Sequence, residues 1–378
     1  MSRRLTLDEL LTGLQRVNGS DLYLTADSAP LYRVDGATRP AMDVVLDAGE
    51  VDALIREAMS PSELAEFDGS SELNSARAVA GVGRFRINVF RQRGQIGMVA
   101  RLIRIDVPTA DDLKLPGSLR GVIMEKRGLI LVTGATGSGK STTLAALIDH
   151  RNTQTRGHIL TVEDPIEFVH PHKGCIVTQR EIGVDTASFA AALRSALRQA
   201  PDVILIGEMR DLETVEAALH FSETGHLVLG TLHSNNANQA VERVMNFFSA
   251  EQHEQVYLQL SLNLRAVISQ RLIPKADGKG RVAAIEVMLN TPRISDLIAK
   301  GEVAALKAAI EANAQDGSRS FDQALYDLYR TGEITLDEAL KQADSQNNLR
   351  IRIKMEEAGQ GSDKPSFSLK QDKKDEFL

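Results

Sequence analysis

The chain has 378 residues, 43% of them hydrophobic and 25% charged, which is ordinary globular usage and excludes a disordered, collagenous or low-complexity protein. A net charge of −7, 4% aromatic residues and no Trp argue against a generic basic field for DNA and against aromatic platforms for single strands. The one cysteine, Cys175, allows neither an intrachain disulfide nor a Cys-based zinc site, as suits a reducing compartment.

The start, MSRRLTLDELLTGLQRV, has no apolar core after its basic residues, because Asp8 and Glu9 interrupt it; it does not read as a signal peptide. No run of about 18 apolar residues follows anywhere, so no membrane-spanning helix is expected. Residues 6–17 predict an amphipathic helix with Leu7, Leu10, Leu11, Leu14 and Val17 on one face, opened by a capping box of Thr6 and Glu9. Two short strands are expected within 21–36, then a helix over 48–58. GRFRINVF alternates, with Phe85, Ile87 and Val89 on one face and Arg84, Arg86 and Asn88 on the other. Gly94 separates it from QIGMVARLIRI, which predicts a hairpin. Residues 1–105 thus read as an α+β unit. The next segment, 106–117, carries two prolines, a glycine and three aspartates and reads as a linker.

From residue 118 to 290 the pattern changes. Apolar runs at 128–134, 158–164, 202–208 and 226–233 alternate with helical patterns at 140–151, 188–199, 211–223 and 237–248. Strands without polar alternation, each followed by a helix, predict an α/β domain with a parallel sheet covered on both faces. After a last strand, GRVAAIEVML, residues 291–358 read as helical, with segments near 292–300, 303–313, 320–331 and 335–343. The tail, 359–378, is polar and turn-rich and is expected to be disordered.

GATGSGKS, Gly134 to Ser141, matches G-x-x-x-x-G-K-[ST] between an apolar strand and a helical run. Gly134, Ala135, Thr136, Gly137, Ser138, Gly139, Lys140, Ser141 and Thr142 are the candidate phosphate cradle. Its glycines let backbone N–H groups wrap phosphate oxygens at a helix N-terminus. Lys140 suits the β- and γ-phosphates, and Ser141 suits Mg²⁺. VEDPIE offers Glu163, Asp164 and Glu167 beyond a strand's C-terminal end, where ligands of open α/β sheets bind. VILIGEMRD offers Glu208, preceded by Gly207 where the usual P-loop pattern has an acid directly after the apolar run. Glu208 suits the orientation and activation of water. His226 and His233 bracket HLVLGTLH with a spacing that does not make a metal pair. Each is a boundary histidine, a γ-phosphate sensor or a contact at a subunit border. No G-x-S-x-G elbow and no Rossmann-type G-x-G-x-x-G appear, so ester hydrolysis and hydride transfer are not leading readings.

GATGSGKSTT, TVEDPIEFVH, ALRSALRQAPDVILIGEMRDLETVEAAL and ETGHLVLGTLHSNNA resemble, in order, the Walker A, Asp box, Walker B and His box of secretion-type ATPases. The resemblance covers about residues 4–345 and points to the type IV pilus retraction motors of the PilT/PilU family. Assembly and type II secretion ATPases usually carry a tetracysteine zinc element, which a chain with Cys175 alone cannot form. The stretch LSLNLRAVISQRLIPKADGKGRVAAIEVMLNTPRISDLIAKGE and the polar tail are most similar to the PilU branch.

The resemblance implies an N-terminal PAS-like domain, a RecA-like P-loop core and a C-terminal helical region. It implies ATP and Mg²⁺ at Gly134–Ser141, Glu163 in the Asp box, Glu208 as the Walker B glutamate, and His226 and His233 in the His box. Arg86 and Arg101 match the family's arginine fingers in position; from the residues alone they are a solvated strand face. It further implies a cytoplasmic homo-hexamer at the inner-membrane pilus base, working with a PilT-like retraction ATPase and a PilC-like platform protein, without nucleic acid and without inserting into the membrane. A nucleotide-binding subunit that couples a PilT-like motor to the pilus remains an alternative, as does a DNA-translocating secretion ATPase.

Overall fold

The computed structural model describes residues 5–103 and 106–360. The first part is an antiparallel sheet with three helices. In chain order it comprises α1 (Leu7–Arg16), β1 (Asp21–Leu24), β2 (Leu31–Val34), β3 (Ala37–Pro40), α2 (Ala48–Glu57), α3 (Pro61–Ser70), β4 (Glu72–Val79), β5 (Gly83–Gln92) and β6 (Gln95–Ile103). The strand order is β3-β2-β1-β6-β5-β4. Thr6 and Glu9 form the predicted capping box on α1. Leu7, Leu10, Leu11 and Leu14 are buried on its inner face, whereas Val17 falls at the C-cap and is exposed. Phe85, Ile87 and Val89 of β5 pack into the same core as Leu11, Leu22, Phe67 and Met98. The hairpin bend uses Arg93 and Gly94, both at positive φ. Residues 104 and 105, at the end of the predicted second hairpin strand, lie outside the described residues.

Sequence periodicity misses β3, α3 and β4. Helix α3 buries only Phe67, and β4 buries only Leu73, so neither repeats an apolar residue often enough to show a period. The 106–117 segment is docked rather than free: Ala110 and Leu115 are buried in the core of the second sheet.

The second part holds α4 (Ser118–Val122), β7 (Gly128–Thr133), α5 (Lys140–Gln154), β8 (Gly157–Glu163), β9 (Cys175–Glu181), α6 (Phe189–Ala196), β10 (Val203–Ile206), α7 (Leu212–Glu223), β11 (Leu227–Leu232), α8 (Ala237–Met245), α9 (His253–Asn263), β12 (Leu264–Pro274) and β13 (Arg281–Leu289). The sheet order is β13-β12-β7-β11-β10-β8-β9. Every neighbouring pair is parallel except β12 with β13. Alternate residues of the central strands enter opposite cores. Leu129 and Leu131 face the side covered by α6–α9, and Ile130 and Val132 face the side covered by α4 and α5. That two-sided burial is why the strands read as unbroken apolar runs.

Strand β9 at the sheet edge and β12 escape that reading. Arg265, Gln270 and Arg271 interrupt β12, and β9 buries only Cys175, Val177 and Glu181. Five helices follow: α10 (Pro292–Ala299), α11 (Leu306–Ala312), α12 (Phe321–Arg330), α13 (Leu336–Gln342) and α14 (Gln346–Gln360). α10 and α11 join the main core, whereas Phe321, Leu325, Ala339, Leu349 and Ile353 of α12–α14 enclose Ile273 and Ala284 at the tip of the β12–β13 hairpin. The tail expected to be disordered lies, from residue 361 onward, outside the described residues.

Phe85, on the strand beside the edge of the first sheet, is fully buried in that sheet's core. Phe85→Ala is expected to destabilise that sheet by about 3–5 kcal/mol, read as a lowered denaturant midpoint of its unfolding transition; a change under about 1 kcal/mol would contradict the packing described.

Candidate active site

The parallel strands all end on one side, and the loops that leave them there meet. β7 ends at Thr133 and gives way to the Gly134–Ser141 turn, which closes into α5. Gly139, the N-cap of α5, has φ +90°, and a Cβ there would lie 2.7 Å from the Gln270 amide nitrogen. At Gly134 a Cβ would lie 2.5 Å from the Gln270 carbonyl oxygen. Glycine is therefore required on steric grounds as well as conformational ones. The α5 N-terminus has no side-chain cap, which leaves its N–H groups for an anion. Lys140 Nζ donates to the carbonyls of Gly134 (2.7 Å) and Ala135 (3.1 Å). Burial in the cleft lowers the Lys140 pKa, while the Glu208 and Glu167 carboxylates oppose that shift.

Glu163 ends β8. Its Oε1 accepts from Thr161 Oγ1 (2.7 Å) and Gln179 Nε2 (3.3 Å). Burial pushes its carboxyl up to about 7, with those hydrogen bonds acting the other way. Glu208 stands two residues beyond β10. The intervening Gly207 has a structural reason: its N–H donates to Val162 O at 2.8 Å, and a Cβ there would lie 3.1 Å from Glu163 Cα. Close approach of the two strand ends brings both carboxylates to the same cleft. His233 follows β11 directly, and its Nε2 lies 3.2 Å from Glu208 Oε1.

The cleft has a volume of about 510 Å³ and is lined by Thr136–Thr142, Glu163, Asp164, Glu167, Glu208 and His233. Gly134 and Ala135 border an adjoining cavity beside Gln270 and Arg271. His226 does not join them. It sits at the other end of β11, roughly 20 Å from His233 along the strand. There its N–H donates to Phe221 O at 3.1 Å and its ring packs edge-on against Phe221. A γ-phosphate sensor in this chain's own cleft is therefore excluded for His226: the six residues of β11 lie between it and His233.

Arg86 and Arg101 face each other in register across β5 and β6. With Thr142, Pro165 and Glu167 they line a second cavity of about 350 Å³ beside the cleft. Two guanidiniums paired this way repel. Asp21, buried, offsets this by accepting from Arg101 Nε at 2.7 Å. Arg84 of the same strand reaches Glu181, at the end of β9, at 3.7 Å.

Sequence reasoning missed Thr161, Gln179, Gln270 and His170. Thr161 and His170 are the ends of TVEDPIEFVH, but nothing in that run singles them out, and Gln179 and Gln270 reach the site only through the tertiary fold. The His170 ring lines the back of the cleft, and burial lowers its pKa to about 4, so it is neutral. Among the described residues no three His, Cys, Asp or Glu side chains converge on a metal. The cleft's polar donors nevertheless fit a phosphate-bound Mg²⁺, with the Ser141 hydroxyl on the protein side and the carboxylates beyond it.

A desolvated carboxyl that holds its proton to about pH 7, against an ordinary 4.5, costs folding stability as pH rises between those values. Glu163→Gln removes that cost. Its melting temperature relative to the parent should rise from pH 5 to pH 8, and a difference that is flat with pH would contradict the burial of Glu163.

The family described as Type II/IV secretion system protein matches residues 112–341. The Type IV pilus ATPase PilU of Pseudomonas aeruginosa is 50% identical over 92% of this chain and 91% of its own length. The Type IV pilus retraction ATPase PilT of the same organism is 45% identical over 90% of this chain and 99% of its own. A crystal structure of the pilus retraction motor PilT with bound ADP superposes with a TM-score of 0.85 at 42% identity, covering 92% of this chain and 99% of that one. On these matches the chain is a nucleotide-binding ATPase with a RecA-like core, and it belongs to the type II/IV secretion system family among the pilus ATPases of the PilT/PilU type, with higher identity to that PilU than to that PilT.

Proposed function

We propose that the protein is a PilU-like motor subunit that hydrolyses ATP to drive type IV pilus retraction, and hence twitching motility. The observation that carries the chemistry is the meeting of Lys140, Glu163, Glu208 and His233 at one end of the sheet, with His233 Nε2 3.2 Å from Glu208 Oε1. ATP is the substrate. Gly134–Thr142 hold its phosphates, and Lys140 exchanges its carbonyl partners for phosphate oxygens. Glu208 takes a proton from water as the water oxygen bonds to the γ-phosphorus and the bond to the ADP oxygen breaks. Glu163, whose carboxyl desolvation pushes up to about 7, orders that water. His233 reports whether the γ-phosphate is present through its bond to Glu208. Ser141 would hold Mg²⁺ beside the phosphates, where the ion would supply positive charge to the transferring group.

Arg86 and Arg101 supply positive charge from the first sheet, and their cavity beside the cleft supports a reading in which the two parts close on bound nucleotide. His226, at the far end of β11, is left as a contact at a subunit border. The assembly is a homo-hexamer at the cytoplasmic face of the inner membrane, acting with a PilT-like ATPase on a PilC-like platform protein. No helix among the described residues is long and apolar enough to cross a membrane, so attachment there runs through partners. PAS-like residues 1–105, the linker 106–117, the core 118–290, the helical region 291–358 and the tail 359–378 are the proposed units.

Steady-state hydrolysis by the full chain, with its mass read by light scattering, tests this. Lys140→Ala and Glu208→Ala should each lose about 10²–10⁴-fold in turnover while keeping the fold, and Glu208→Ala should still bind ATP. Parent-like turnover in Glu208→Ala would transfer the base role away from Glu208. A parent that binds ATP but turns it over only when a PilT-like ATPase is added would establish the coupling subunit instead. Arg101→Ala and Arg86→Ala should lower kcat with little change in ATP binding; unchanged kcat in both would return them to the solvated strand face.

A further inference from the structure

The strand β12 borders the phosphate cradle, and two successive side chains on it point to opposite faces of the sheet. Gln270 faces the cradle, where its Oε1 accepts from Thr143 Oγ1 at 2.7 Å. Arg271 faces the other way and joins three separate parts of the chain. It donates to Asn235 O at 3.2 Å, two residues after His233. It donates to Gln342 O at 2.6 Å and to Asp344 Oδ1 at 2.8 Å, where α13 passes into α14. Its guanidinium also stacks 3.9 Å over the ring of Phe321, which opens α12.

The segment that Arg271 holds is held a second time from the same hairpin. Glu286 of β13 is buried, and its Oε1 accepts from Ala237 N at 2.7 Å and from Ser269 Oγ at 3.2 Å. Asn235 O and Ala237 N flank Asn236, the N-cap of α8. The backbone between His233 and α8 is therefore fixed by two charged side chains. Only Arg271 is also bonded to the C-terminal helices. Asp344 in turn donates its backbone N–H to Asp322 Oδ1 at 2.8 Å, and Lys307 Nζ lies 3.6 Å from Asp322. The arginine's partners are thus themselves anchored to α11 and α12.

We propose that Arg271 is a positioning residue of the ATP site: it ties the backbone that follows His233 to the junction of α13 and α14, so that the placement of His233 against Glu208 depends on where the C-terminal helices sit. This rests on the reading of Glu208 and His233 as parts of the hydrolytic site. A lysine cannot replace the function. It preserves the charge opposite Asp344, but a single ammonium does not span the forked set of Asn235, Gln342 and Asp344 oxygens or stack on Phe321 in the same way.

The test uses the full chain and two readouts. The first, without nucleotide, is backbone hydrogen exchange over residues 233–246, followed by mass spectrometry. The second is kcat and KM for ATP. Arg271→Lys should melt within a few degrees of the parent, exchange faster over 233–246, and lose about 10–100-fold in kcat with KM changed less than about twofold. Asp344→Asn, which leaves Arg271 in place, should move both readouts in the same direction. The double variant should be no worse than Arg271→Lys alone, because both act through one link. Arg271→Lys with parent-like exchange over 233–246 and parent kcat overturns the proposal, as does faster exchange confined to 321–353 with kcat unchanged. If Glu208→Ala turns over like the parent, the hydrolytic reading fails; the exchange comparison still decides whether Arg271 holds the segment.

Discussion

A backbone that must wrap a polyphosphate cannot carry side chains where it bends, and it cannot be left without support behind. Both conditions meet at Gln270. The cradle's glycines press against this residue so closely that a Cβ at Gly134 or Gly139 would lie under 3 Å from it. Its side-chain oxygen accepts from Thr143 in the first turn of α5. The strand carrying Gln270 lies beside β7 in parallel, so sheet order places the brace. The cradle is therefore not a freestanding loop motif. It is a loop pinned between α5 and a neighbouring strand from much later in the chain.

The same geometry accounts for the acidic side of the cleft. Parallel strands deliver their C-terminal ends together, and Gly207 lets β10 approach β8 closely enough for Glu163 and Glu208 to share one cleft. Desolvation then separates their environments. Glu163 is half-buried, with Thr161 and Gln179 bonded to it, and desolvation pushes it to about 7. Glu208 is more open and carries His233 as its neighbour. Two carboxylates in different surroundings can hold different proton duties. Glu286 is a second buried carboxyl pushed to about 7, yet it faces away from the cleft and serves the start of α8.

Much of this was legible in the sequence because the signals were local. Short apolar runs gave the parallel strands, the glycine and lysine spacing gave the turn between β7 and α5, and the strand-end acids Glu163 and Glu208 lie at one cleft. The capping box at Thr6 fixed the start of α1. What was hidden depends on pairing between distant segments. β12 carries Gln270 and Arg271 inside an apolar strand, which blurs both periods. Gln179 matters only because β9 and β8 lie side by side, and Thr161, local to Glu163, carries no spacing that marks it out. His226 and His233 look equivalent in sequence as the two ends of one run, and only the direction of β11 separates the residue at the cleft from the residue at the opposite edge.

If ATP binds here, its phosphates take the place of the Gly134 and Ala135 carbonyls that Lys140 now meets. A crystal or cryo-microscopy structure of Glu208→Gln with Mg²⁺ and ATP decides it. Lys140 Nζ should sit on phosphate oxygens, the Ser141 hydroxyl on the metal, and His233 and residue 208 beside the γ-phosphate, with His226 remote from it. Nucleotide bound elsewhere, or Lys140 still on its own carbonyls with ATP present, would contradict it.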